Sequence, residues 1–186
     1  MYAILTMLML DGLAYGVFSS EIVKLVPEDV EEDMVYRMAG LTMISLGVGS
    51  VFGGYLCGVS SDKFGTFQSG KMSLALWILS CGAFVIAISW PSIWLAQIAS
   101  FLWGFSMYFL EGWISIAISV NYQGLPQAFS VNKQFNAFFF IVSQIAVFAT
   151  DNVLPLVPLM IGLGALSIPA YLLLLKMPIM DVPEKR

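Results

Sequence analysis

The run GLTMISLGVGSVFGGYLCGVSSDKFG, residues 40–65, decides the fold of this chain. It is a nearly unbroken apolar, glycine-rich stretch that ends in a short polar cluster, Ser60-Ser61-Asp62-Lys63. About 20 mostly apolar residues are enough to cross the hydrocarbon core of a bilayer as a helix. The run therefore predicts a transmembrane helix that ends at a charged membrane surface.

The rest of the chain has the same character. Of its 186 residues, 59% are apolar and 11% are charged, whereas a soluble domain carries about 25% charged residues. Several further apolar stretches are separated by short polar islands, a pattern typical of polytopic membrane proteins. The sequence predicts an all-α membrane protein, a single six-helix transmembrane domain over residues 1–186, with helices at about 2–18, 37–59, 71–90, 93–119, 132–150 and 153–175.

The polar links predict the topology. Only the acidic link 19–36 is long; the others are short and force neighbouring helices to run antiparallel. The other links are placed at 60–70, 90–92, 121–131 and 151–152. Lys and Arg accumulate on the inner side of membrane proteins. Lys24 and Arg37 fall on one side of the predicted membrane, and six basic residues fall on the other, so both termini are predicted to lie inside. The six are Lys63, Lys71, Lys133, Lys176, Lys185 and Arg186.

The composition argues against catalytic and nucleic-acid-binding functions. The chain has no His, which removes the commonest general base and metal ligand. Its two cysteines, Cys57 and Cys81, lie inside apolar stretches and are interpreted as small core residues. We find no metal-ligand cluster, no nucleophile beside a base and no phosphate-binding loop, so no enzyme, metal or cofactor is expected. The net charge of −4 is concentrated in the first link and predicts no nucleic-acid partner.

The predicted second helix carries glycines on more than one face. Gly40, Gly47 and Gly54 recur every seven residues and form a stripe that continues to Gly58. Gly49 and Gly53 form a small-xxx-small pair, as do Gly54 and Gly58. Such pairs let helix backbones approach closely within a membrane. The stripe either packs within this bundle or forms a docking face for a helix of another polypeptide.

Two acidic residues fall inside predicted spans. Asp11 is placed near the middle of the bilayer, and Glu111 in the inner half of the fourth helix. A charge in a bilayer costs about 2.5–3.5 kcal/mol on insertion scales and usually faces a bundle interior. Each acid is either a coupling or substrate-binding carboxylate or a neutral, hydrogen-bonded structural group. Asp11 could also lie in a helix that is shifted toward the surface. No Lys or Arg lies at comparable depth, so neither acid has a predicted ionic partner.

The end of the quoted run fits the pattern G-x-x-x-D-[RK]-x-G at Gly58, Asp62, Lys63 and Gly65. This resembles the signature loop of the major facilitator superfamily, at the matching position between two helices. The resemblance implies a half-facilitator fold in which the acid contacts the end of a neighbouring helix. The sequence departs from the pattern after Gly65, where Thr66-Phe67 replace two basic residues. A working conformational latch is therefore in doubt, and a solvated inside loop is the alternative.

A more specific resemblance covers about two thirds of the chain. The segments 47–54, 58–65, 104–111 and 128–133 are similar to one half of Unc-ninety-three-like proteins. The region 15–18 and the prompt stop after the sixth predicted helix resemble the C-terminal half of that family more than its N-terminal half. Members of that branch look like transporters but are associated with regulating or escorting other membrane proteins. The resemblance implies a eukaryotic internal membrane, with the mitochondrial inner membrane as one candidate.

Size sets the functional expectation. A facilitator has two six-helix halves with the substrate path between them, and six helices supply only one wall. We therefore expect a non-catalytic accessory or assembly subunit of a larger membrane complex. Its expected partners are other integral membrane proteins, a second copy of the chain, and lipids. The alternative is a half-transporter that dimerises to form a solute or proton-coupled path. A membrane enzyme is the least favoured hypothesis.

Overall fold

The computed structural model describes residues 32–90, 92–121 and 126–148, and these residues form three helices. They are α1 (Glu32–Ser89), α2 (Ile93–Asn121) and α3 (Pro126–Phe148). No strand occurs among these residues, so the all-α prediction is confirmed for this part of the chain. The helices expected at 2–18 and 153–175 lie outside the described residues.

Helix α1 is broken at one residue into a first arm, residues 32–64, and a second arm, residues 66–89. At the break Gly65 adopts φ 78° and ψ 163°, a backbone conformation that only glycine adopts without strain. Beside the break the Ser69 hydroxyl donates to the Ser60 hydroxyl at 3.2 Å, which holds the two arms together. The predicted link over 60–70 therefore differs from the structure, in which this segment is helical apart from Gly65.

Two helices of the described part are long and apolar enough to cross a membrane, Tyr36–Ser89 and Ile93–Val120. The first of these is α1, which bends back on itself at Gly65. Each of its arms exceeds the roughly 20 residues that one crossing requires. Helix α3 is not one of the two, because its first half carries Lys133 and several amide side chains.

The first arm of α1 runs parallel to α2 and meets it backbone to backbone. A Cβ atom added to Gly49 would overlap the carbonyl oxygen of Phe101, and one added to Gly53 would overlap that of Phe105. From the opposite side, a Cβ on Gly104 would overlap the carbonyl of Leu46. The close approach predicted for the Gly49/Gly53 pair is therefore present, and it lies within this chain.

The second arm runs antiparallel to α2 and buries an aromatic core against it. The rings of Trp77 and Phe84 lie 5.4 and 5.3 Å from the Trp103 ring. Near them the Ser106 hydroxyl donates to that of Ser80 at 2.8 Å. Aromatic pairs of this kind contribute about 0.5–1.5 kcal/mol each beyond their buried area. Cys57 and Cys81 are both buried and unbridged, as expected for small core residues.

Candidate functional site

The residues of the signature pattern surround the break in α1. Gly65 is the residue at which the helix reverses, while Asp62 and Lys63 are exposed in the last turn of the first arm. Within the described residues, Asp62 makes no hydrogen bond or ion pair. The acid-to-helix contact that the resemblance implies is therefore not present there. Lys63 faces a cleft described below.

The bend is held to α2 by Trp113. Its side chain is fully buried, and its indole N–H donates to the backbone carbonyl of Thr66 at 2.7 Å. The ring packs closely against the second arm at Gly70, where an added Cβ would come within 2.7 Å of it. The sequence analysis did not identify this contact. The sequence did contain a signal for it. Gly70 follows the break by five residues, and Trp113 lies late in the predicted helix 93–119.

Glu111 forms an ion pair with Lys133, which links α2 to α3. The prediction that Glu111 has no ionic partner in this chain is wrong. The error came from placing Lys133 at the very start of its helix, beyond the reach of Glu111. In the structure α3 begins at Pro126, so Lys133 lies about two turns into the helix and beside α2. Asp11 lies outside the described residues.

The ion pair is partly exposed, because 26% of the Glu111 side chain and 63% of the Lys133 side chain are accessible. Next to it, Asn132 is buried, and its side-chain oxygen has no hydrogen-bond partner in the described part of the chain. Helix α3 touches α2 at few places and does not touch α1 within the described residues. The pair is therefore one of the few specific contacts that orient α3.

The glycine stripe faces away from the helices described above. Apart from the neighbouring backbone of the same helix, no heavy atom of the described residues lies within 4 Å of a Cβ added to Gly40, Gly47, Gly54 or Gly58. Large apolar side chains share this face of the first arm, with Ile44, Val51 and Tyr55 exposed by 63, 72 and 69%. We call this surface the open face. It is opposite the face that carries Gly49 and Gly53.

The chain matches no protein-family model, no curated protein and no solved structure.

Among the described residues, no group of three His, Cys, Asp or Glu side chains is placed to hold a metal ion. Three features of the described residues stand out: the open face, the signature bend and the Glu111–Lys133 pair. The first is an apolar surface and the other two connect helices of this chain.

We expect the Glu111–Lys133 pair to act as a coupled unit. Glu111→Gln and Lys133→Gln should each lower the free energy of unfolding, and the double variant should lose less than the sum. The coupling expected for a pair this exposed is about 0.2–1 kcal/mol. Unfolding of the four proteins in detergent, followed by circular dichroism, gives the coupling directly. Arg37→Gln, which removes an exposed basic charge near the start of α1, is the control. Strict additivity would show that the pair does not orient α3.

Proposed function

We propose that this chain is a non-catalytic integral membrane subunit that assembles with other membrane polypeptides, built on a half-facilitator scaffold of the Unc-ninety-three-like type. The observation that carries the proposal is the open face of the first arm. One side of that arm is in backbone contact with α2. The other side carries glycines and large apolar side chains that no described residue covers.

The composition of the open face favours a helix as its partner. Ile44, Val51 and Tyr55 project between positions at which glycine leaves the backbone bare. Such a surface offers ridges and grooves into which the side chains of another helix can pack. Small residues in membrane helices let two backbones approach closely. Contact with flexible lipid tails gains nothing from this close approach. The face therefore suits a protein partner better than bulk lipid.

The Glu111–Lys133 pair also fits this proposal. The Glu111 carboxylate is engaged by the Lys133 ammonium group, which links α2 to α3. A role in connecting helices suits an accessory subunit, whereas a half-transporter needs an acid that is available to a substrate or coupling ion.

The basic residues support inside termini as part of the same proposal. Lys63, Lys71 and Lys133 lie in the half of the bundle that contains the Gly65 bend, and Arg37 lies near the opposite end. That distribution agrees with the tendency of Lys and Arg to remain on the inner side. The proposed location is a eukaryotic internal membrane, with the mitochondrial inner membrane as the candidate that the resemblance motivates.

Leucines at two glycines of the open face test the proposal. Gly47→Leu with Gly54→Leu should remove the partner without unfolding the chain, because a Cβ atom added at either position has open space within 4 Å among the described residues. The measurement is the native mass in mild detergent, with identification of the chains that co-purify. Overpacking a helix contact costs about 1–3 kcal/mol per site, enough to weaken binding about tenfold or more.

Gly82→Leu is the matched control. Gly82 is also exposed, and an added Cβ there meets no described residue within 4 Å, but it lies on the second arm. It should keep the partner. If Gly47→Leu with Gly54→Leu leaves the native mass unchanged, the open face is not the docking surface. A native mass that corresponds to two copies and no other chain would instead favour the half-transporter.

A further inference from the structure

An apolar cleft of about 420 Å³ lies between the two arms of α1 and helix α2. Its volume is within the range of about 300–1,000 Å³ that is typical of ligand pockets. Apolar side chains from all three segments line it: Leu56, Phe64, Met72, Ala75, Phe105 and Phe109. The cleft is on a different side of the first arm from the glycines of the open face.

Two polar side chains interrupt this apolar lining, and only one of them lacks a partner. The Ser60 hydroxyl donates to the carbonyl of Cys57 at 3.1 Å and accepts from Ser69 at 3.2 Å. Lys63 has no ion pair or hydrogen bond within the described residues. Among the described residues that line the cleft, its ammonium group is therefore the charge without a partner that an occupant would meet.

Lys63 lies two residues before the Gly65 bend, at the end of the first arm. Because each arm is long enough to cross a bilayer, a residue at this end is placed where lipid headgroups are expected. Leu56 is one heptad earlier on the same arm, about 10 Å further from that end at 1.5 Å per residue. An occupant that extends from Lys63 to Leu56 is thus anionic at one end and apolar along the rest.

The dimensions favour an acyl chain over a helix. An α-helix with its side chains is about 10–12 Å wide, so one turn alone occupies roughly 400–600 Å³. The cleft could hold at most about one such turn, whereas a crossing helix needs about 20 residues. A single hydrocarbon chain is thin enough to enter between the two arms.

We propose that this cleft binds one acyl chain of an anionic phospholipid, with the lipid phosphate against the ammonium group of Lys63. The inference rests on the membrane location proposed above. It is independent of the open face. Basic pockets between membrane helices are suited to anionic headgroups because the phosphate supplies the missing counter-charge. A zwitterionic lipid of the same chain length would fill the cleft but would gain less from Lys63.

Native mass spectrometry of the full chain in mild detergent tests this site. The protein is titrated with phosphatidylglycerol or phosphatidylcholine that have identical acyl chains. Phosphatidylglycerol should bind more tightly, and Lys63→Gln should weaken its binding about fivefold, the effect of one basic residue near a lipid surface. Binding of phosphatidylcholine should change little.

Lys71→Gln is the matched control. It removes the same charge at the same end of the bundle, but the Lys71 ammonium lies over the Phe67 ring and is not part of the cleft. It should leave the affinity for phosphatidylglycerol nearly unchanged. If both lysine variants weaken binding equally, the attraction is diffuse and the site is disproved.

Ala75→Phe tests the apolar part. Ala75 is exposed at the cleft, so a larger ring there should fill the space and reduce the binding of both lipids. Circular dichroism confirms that the variant is folded. Unchanged lipid binding by folded Ala75→Phe would show that the acyl chain lies elsewhere and would overturn the proposal. Gly47→Leu with Gly54→Leu should retain the lipid, so this inference and the docking proposal can fail separately.

Discussion

Gly49→Ala combined with Gly53→Ala should destabilise the chain by about 2–4 kcal/mol, although alanine is the better helix former. Each replacement gains about 1 kcal/mol in helix propensity. Against this, each added methyl group would overlap a backbone carbonyl of α2, at Phe101 or Phe105. Backbone atoms cannot rotate aside as a side chain does, so we expect the upper part of the usual overpacking cost of about 1–3 kcal/mol per site.

The control for this prediction lies on the same arm. Gly47→Ala with Gly54→Ala makes the same chemical change where no heavy atom of the described residues is within 4 Å. That pair should leave the unfolding midpoint in detergent unchanged or raise it. The measurement is thermal unfolding followed by circular dichroism. Equal shifts for the two pairs would mean that the first arm does not meet α2 at Gly49 and Gly53.

Trp113→Ala should have the largest effect of any single substitution proposed for this chain. Truncating a fully buried tryptophan costs about 3–5 kcal/mol, and here it also removes the donor to the Thr66 carbonyl. Trp113→Phe, which keeps a ring but not the N–H, should cost less. Both effects are read from unfolding curves in detergent.

Cysteine labelling can distinguish opening of the Gly65 bend from general destabilisation of the protein. Cys57 is buried close to Gly112, the residue before Trp113. Opening the bend should therefore speed the labelling of Cys57 by maleimide, measured by peptide mass spectrometry, more than that of Cys81. Trp94→Ala is the control, because Trp94 is 75% exposed and surface substitutions usually change stability by no more than about 0.5 kcal/mol. If Cys57 reacts no faster in Trp113→Ala than in Trp94→Ala, Trp113 does not hold the bend.

Hydropathy predicted the helices of the described region but not where they end. The polar residues from Ser60 to Lys63 were assigned to a link because they interrupt an apolar run. A helix can nevertheless continue beyond the hydrocarbon layer, since its backbone hydrogen bonds are internal and its polar side chains reach water. Only Gly65 has a backbone conformation that stops the helix. The same reasoning explains why α3 begins several residues before its predicted start.

The sequence identified two sets of glycines without showing which one this chain uses. Gly49 and Gly53 differ from Gly47 and Gly54 only in the face of the helix on which they lie, and the choice between faces depends on the position of α2. The Glu111–Lys133 pair was missed for a related reason. Its members are 22 residues apart on separate helices, and no spacing rule within one helix can predict such a contact.

The one-residue bend at Gly65 constrains how the chain enters a membrane during synthesis. A long loop would let the first arm insert and wait while the second emerged from the ribosome. Here only Gly65 separates the two arms, so no spare chain lies between them. We therefore expect the 58 residues of α1 to insert together as one hairpin, with the orientation of the first arm determining that of the second.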